Sequence, residues 1–177
     1  MAALLVAHIF EIDTRIIKDT LKNFKGLEHR CEYVTQLGGV RFINDSKATT
    51  VDAAMHAIRS LEKGIVLIAG GKDKGSDFTV LRNLVKEKVK AIVLIGEAKK
   101  KIKTQLLGTA PIYEAKDLDG AVSLSFNLAK KDNSVLLSPM CASFDMFKNF
   151  EERGAIFKKA VSALQERLIK TEACKIR

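Results

Sequence analysis

From residue 65 onward, short wholly apolar runs alternate with segments whose apolar side chains recur every three or four positions. The runs IVLIA at 65–69, AIVLI at 91–95 and SVLL at 134–137 have the length and β-branched content of strands buried on both faces, and 112–114 is a shorter one. Segments 78–88, 99–107, 118–130 and 146 to about 168 have the period of amphipathic helices. Such alternation predicts βαβ units in an α/β, Rossmann-like fold: a mostly parallel sheet with helices on both faces. Upstream, 31–37 and 40–44 read as a hairpin around Gly38-Gly39, and 51–61 as a helix.

The first 27 residues break this pattern. The stretch MAALLVAHIF is apolar almost all round and has no capping residue before it, as in a helix cut out of a larger packed domain. No positive residue precedes the stretch and no small-residue cleavage site follows it, so it is not read as a signal peptide. A second helix over 14–24, with Asp13 as N-cap and Gly26 as its stop, presents Ile16, Ile17, Thr20, Leu21 and Phe24 on one face. The exposed apolar side chains Leu4, Leu5, Val6, Ile9 and Phe10 are expected either to pack back on the domain or to mediate self-association. The tail 170–177 is charged and expected to fray.

In parallel sheets, ligands bind beyond the carboxyl ends of the strands. Three loops therefore matter. The loop Asn44-Asp45-Ser46-Lys47-Ala48-Thr49-Thr50 offers hydroxyls, one carboxylate and a lysine beside a helix N-terminus, where the helix dipole disfavours a cation unless an anion joins it. Capping alone would explain Thr49 or Thr50. The loop Gly70-Gly71-Lys72-Asp73-Lys74-Gly75 combines permissive backbone with two cations, but matches neither a P-loop nor GxGxxG; a tight turn with exposed lysines is the plainer reading. The loop from Ser138 to Asp145 sets small and hydroxyl residues before a helix; Cys141 in it reads as an inert buried thiol. Phe144, Phe147 and Phe150 read as core, with Phe150 a possible pocket wall.

Composition narrows the choice. Lys+Arg 30 against Asp+Glu 21 gives a net charge of +9, which favours anionic partners. Three widely spaced cysteines without CxxC, and three scattered histidines, exclude a disulfide framework and give no metal motif. Reduced, cytosolic thiols fit best. No apolar run reaches the roughly 18 residues of a membrane span.

The strings GLEHRCEYV, RFINDSKATTVDAA, LIAGGKDKGSDF and LLSPMCASFDMFKNFEERGAIF, in this order, resemble the C-terminal part of the Mur ligases, over about residues 1–168. NDSKAT and the SPMCASFDMFKNF run resemble the D-glutamate-adding branch in particular. The resemblance implies three domains in the parent enzyme, of which only the last is represented. No GxxxxGK[ST] occurs, so the central ATP-binding machinery is absent, and residues 1–27 are expected to be its helical remnant, 28–169 the C-terminal domain and 170–177 a tail. It implies a cytoplasmic ligase of peptidoglycan synthesis, with ATP and Mg2+ as cofactors of the full-length enzyme and the metal ligands outside this chain. Its expected partners are D-glutamate, ATP, UDP-N-acetylmuramoyl-L-alanine and the enzyme's own other domains. This chain alone is expected to be inactive.

Carried over by motif, the resemblance implies D-glutamate contacts from Thr49, Lys74, Ser143, Phe144 (through its backbone) and Phe150, and ATP contacts from Arg30, Asp45 and Lys47. Glu28, Cys31 and Met140 depart from the usual residues without removing a proposed contact. Two alternatives stand beside this reading. One is the C-terminal domain of another Mur or folylpolyglutamate-type amide ligase. The other is a basic α/β module binding nucleic acid through lysines 86, 88, 90, 99, 100, 101 and 103; against it stand 6% aromatic residues and the absence of Trp.

Overall fold

The computed structural model describes residues 2–24 and 26–175. Two helices, α1 (Ala2–Ile9) and α2 (Thr14–Asn23), precede an α/β body. The body contains strands β1 (Glu32–Leu37), β2 (Val40–Asn44), β3 (Ile65–Gly70), β4 (Val89–Ile95), β5 (Ile112–Glu114) and β6 (Ser134–Leu137). Its helices are α3 (Val51–Ser60), α4 (Arg82–Lys88), α5 (Lys99–Gln105), α6 (Leu118–Leu128) and α7 (Phe150–Lys175).

The six strands lie in the order β1-β2-β6-β3-β4-β5. β1 pairs antiparallel with β2, joined by Gly38 and Gly39 at positive φ. That geometry belongs to a tight hairpin turn matching the twist of its strands. The remaining pairs are parallel. Every residue of β3 and β6 is buried, as expected for central, mostly apolar strands. Alternate residues feed two cores. Ile65, Leu67, Ala69, Ile92 and Leu94 meet α3, α4 and α5. Val66, Ile68, Val93, Val135 and Leu137 meet α6 and α7 on the opposite face.

Because β6 lies between β2 and β3, the loops following Asn44, Gly70 and Leu137 are neighbours at one edge of the sheet. They are also stitched together. Asp45 N donates to Leu137 O at 2.8 Å, Gly70 N to Pro139 O at 2.9 Å and Met140 N to Ala48 O at 2.9 Å. Lys72 and Ala142 exchange both backbone bonds, at 2.9 and 3.1 Å.

Three element boundaries differ from the periodicity. The segment read as a helix from 78 begins as a 3-10 turn over Thr79–Leu81, and α4 starts only at Arg82. Gln105 Oε1 takes Phe78 N and Asp77 takes Thr79 N, so side chains, not a first helical turn, satisfy these donors. The last helix starts at Phe150 rather than 146, because Asn149 Oδ1 accepts from Glu152 N and Glu152 Oε2 accepts from Lys148 N. This reciprocal pair is a capping arrangement. Helix α7 continues to Lys175, so most of the expected frayed tail is helical; 176–177 lie outside the described residues.

Asp13 caps α2 as expected, accepting from Arg15 N at 2.7 Å; the helix stops at Asn23, three residues before Gly26. Among described residues, nothing from 3 to 28 is buried, so the first two helices do not pack back into the core. They face each other across a small apolar groove lined by Leu4, Ile12, Ile16 and Leu21 among others. No helix of the described residues is long and apolar enough to cross a membrane.

Candidate functional site

Two clefts open at the loop edge of the sheet. The first, of about 390 Å³, is lined by Arg30, Cys31, Asp45, Lys47, Ala48, Ala53, His56, Ala57 and Ser60. It gathers the three residues expected to face ATP: Arg30, Asp45 and Lys47. The second, of about 270 Å³, is lined by Thr49, Lys74, Ala142, Ser143, Phe144, Asn149, Phe150 and Glu151. It gathers the five expected to face D-glutamate: Thr49, Lys74, Ser143, Phe144 and Phe150. Lys47 joins the clefts, its ammonium standing 3.7 Å from the centroid of the Phe150 ring, a cation–π distance.

In the first cleft Asp45 is buried and its carboxylate is held at both ends. Oδ1 accepts from Cys31 N at 3.2 Å and Oδ2 from the Ser138 hydroxyl at 2.9 Å. Burial nevertheless raises its pKa above the ordinary carboxylate value, against these bonds and the charge of Arg30. The Cys31 thiol is pushed up to about 11, by desolvation first and the Asp45 carboxylate second. Cys141 is pushed up to about 12, again chiefly by burial, which agrees with an inert thiol and not a nucleophile. Thr50 caps α3, its hydroxyl accepting from Ala53 N at 3.3 Å, which leaves Thr49 for the second cleft.

In the second cleft Ser143 is buried, and its carbonyl accepts from Met146 and Phe147 N, forming the turn that exposes Phe144. Lys74 is exposed at the tip of the glycine-rich loop. Gly71 adopts φ +133°, and a Cβ there would overlap Ala142 O, so only glycine allows the bridge that seats this loop on the third. Phe147 instead is partly buried and packs against the core on the α6–α7 face.

The structure adds residues that the loops alone did not single out. Arg153, fully buried, donates from Nε to Ser46 Oγ at 3.0 Å, from Nη2 to Ser46 O at 2.9 Å and from Nη1 to Cys141 O at 3.1 Å. It fastens the first loop to the third. Burial lowers its pKa to about 10, and among the described residues no carboxylate pairs with it. The available signal was positional: Arg153 falls on the α7 stripe of Phe150, Gly154, Phe157, Val161 and Leu164, where a charge is out of place. His29, Asn44 and Glu32 form a second support. Asn44 Nδ2 lies 2.9 Å from Glu32 Oε2 and 3.0 Å from His29 Nδ1, while Lys47 N donates to His29 O. His56, Ser60 and Cys31 complete the first cleft.

Among the described residues one cluster has metal-ligand spacing, Glu28–His29–Glu32. Lys158 already bridges its two carboxylates, so the donor set is occupied by a protein cation and does not fit a resident metal.

The chain and its fold have clear relatives. The Mur ligase, glutamate ligase domain, matches residues 29–141. A UDP-N-acetylmuramoylalanine–D-glutamate ligase from Caldicellulosiruptor saccharolyticus is 50% identical over 157 residues, covering 88% of this chain and 35% of the relative. The enzyme of that name from Thermoanaerobacter sp. is 50% identical over 169 residues, covering 93% of this chain and 37% of its own length. The chain thus spans little more than a third of these curated relatives. Among solved structures, UDP-N-acetylmuramate-alanine ligase from Thermotoga maritima aligns with a TM-score of 0.67 at 16% identity, over 92% of this chain and 36% of that one, a likeness of fold. The chain belongs to the Mur ligase family and carries its glutamate ligase domain.

Proposed function

We propose that this chain is the C-terminal domain of an ATP-dependent, cytoplasmic ligase that adds D-glutamate to UDP-N-acetylmuramoyl-L-alanine in peptidoglycan synthesis. The observation that carries the reading is the partition of eight residues between two adjoining clefts, five around one and three around the other. The 50% identity to relatives bearing the D-glutamate ligase name favours this branch over a sister Mur or folylpolyglutamate-type enzyme.

In this reading ATP and Mg2+ activate the substrate carboxylate in the full-length enzyme, with metal ligands supplied from outside this chain. Lys74 and Thr49 hold one carboxylate of D-glutamate. Ser143, the Phe144 backbone and Phe150 hold the other. Arg30 and Lys47 face phosphate, and Asp45 accepts from the ribose hydroxyls. Charge-assisted bonds of this kind are the strong ones. The domain contributes by orienting the attacking amine and by stabilising spread negative charge, which is catalysis by position and electrostatics. Residues 28–169 form the working domain, and 1–27 are the helical remnant of the central ATP-binding domain of the parent enzyme.

The test is a titration of the isotope-labelled chain followed by amide NMR. D-Glutamate is expected to shift signals of the second cleft in the millimolar range, and ATP those of the first. Lys74→Ala weakens the D-glutamate response several-fold. Shifts scattered over the surface, or an unchanged affinity in the Lys74 variant, would overturn the assignment.

A further inference from the structure

The glycine-rich loop places Asp73 directly between Lys72 and Lys74. A carboxylate one residue from a substrate-binding ammonium is a standing competitor. Tethered so closely, it presents an effective concentration of the order of millimolar or more. In the structure that competitor is removed from Lys74 by a cation from another element. Lys101, on α5, donates from Nζ to Asp73 Oδ2 at 2.7 Å. Its ammonium also stands 5.6 Å from the centroid of the Phe78 ring, which fixes it from a second side. The other carboxylate oxygen, Oδ1, accepts from Ser76 N at 2.9 Å. Asp77, the next acid along, is held by the amide and hydroxyl of Thr79. Among the described residues, neither Lys72 nor Lys74 has a carboxylate within 4.0 Å.

We propose that Lys101 is a positioning residue: it engages Asp73 so that the Lys74 ammonium stays free for a carboxylate of the ligand. The proposal rests on the D-glutamate reading of the second cleft. It also gives part of the lysine-rich face of α5 a specific purpose. Desolvation pulls the Asp73 pKa upward, but the bonds from Lys101, Ser76 and Gly75 outweigh it and keep the group ionised, so its charge needs an engaged partner.

Two readouts test this, on Lys101→Ala, Asp73→Asn and the double variant. The Asn side chain keeps an acceptor for Ser76 N and removes the charge, so the loop retains its turn. The first readout needs no ligand. Pulse acetylation with mass spectrometry reports the reactivity of the Lys74 amine, which ion pairing suppresses. Lys101→Ala is expected to slow Lys74 acetylation several-fold, and the double variant to restore it. The second readout is D-glutamate affinity, expected to fall several-fold in Lys101→Ala and to recover in the double variant. A merely structural role for Lys101 would leave the double variant as impaired as the single one, and that result, or unchanged Lys74 reactivity in Lys101→Ala, overturns the proposal. A chain that shows the reactivity pattern but binds no D-glutamate overturns the substrate reading and leaves the role of Lys101 standing.

Discussion

Asp45 meets two opposed demands. It is 6% exposed, and burial raises its pKa, so the folded state holds the ionised form less comfortably than the unfolded chain does. With the folded pKa above the unfolded one, its contribution to stability is fully present below the ordinary carboxylate range near 3.8 and is lost as pH rises through the folded value. Asparagine in its place keeps an acceptor for Cys31 N and a partner for the Ser138 hydroxyl, without the buried charge. Asp45→Asn is therefore expected to raise the melting temperature at pH 7 and to lose that gain in acid, while weakening ATP-induced shifts in the first cleft. A variant that melts lower at pH 7 would show that the charge stabilises the fold. Asp45, Lys47, Lys74 and Ser143 were legible in the sequence because each sits in a short motif on a loop. Lys101 was not, and Arg153 showed only as a charge out of place on an apolar stripe, because their partners lie 28 and 107 positions away and no local rule names them.

Helix α7 shows why propensity misleads at this scale. Gly154 stands in its second turn, and replacing a helical glycine with alanine ordinarily gains about 1 kcal/mol. Here a Cβ would overlap His29 Nδ1. The imidazole lies across the helix because it also meets Asn44 at 3.0 Å and packs edge-on to Phe150, 6.1 Å between centroids. Overpacking of this kind costs about 1–3 kcal/mol, which exceeds the propensity gain. Gly154→Ala is expected to lower the melting temperature and to broaden the signals of His29 and Lys47; thermal unfolding that shifts upward instead would mean the ring moves aside freely. The same competition explains which element boundaries could be read. Asp13 and Thr50 cap their helices from adjacent residues and mark starts visible in sequence. The start of α4 was hidden because Gln105, 27 residues on, takes Phe78 N.

For the whole molecule, packing changes sharply near residue 27. Among the described residues, the two cores draw on those from Val34 onward and on none earlier. Helices α1 and α2 and the residues just after them expose Leu5, Ile9, Phe10, Ile16, Leu21 and Phe24, and with none of their described residues buried they contribute little to the cooperativity of the body. Just beyond them the situation reverses. Arg30 N donates to Leu27 O at 3.2 Å, Glu28 pairs with Lys158, and His29 is buried. The parallel sheet was legible because β3, β4 and β6 are built on the short apolar runs 65–69, 91–95 and 135–137, whereas how little the first helices touch the body depends on contacts that sequence does not display. Removal of residues 1–26 is therefore expected to shift the melting temperature by less than about 2 °C, under 1 kcal/mol at this chain length, with both clefts keeping their ligand responses. Removal of residues 1–29 takes away the Lys158 and Asn44 contacts as well and should lower it by several degrees. Circular dichroism melts of the two truncations decide the point. Equal losses in both would place α1 and α2 within the folding unit and move the domain boundary upstream.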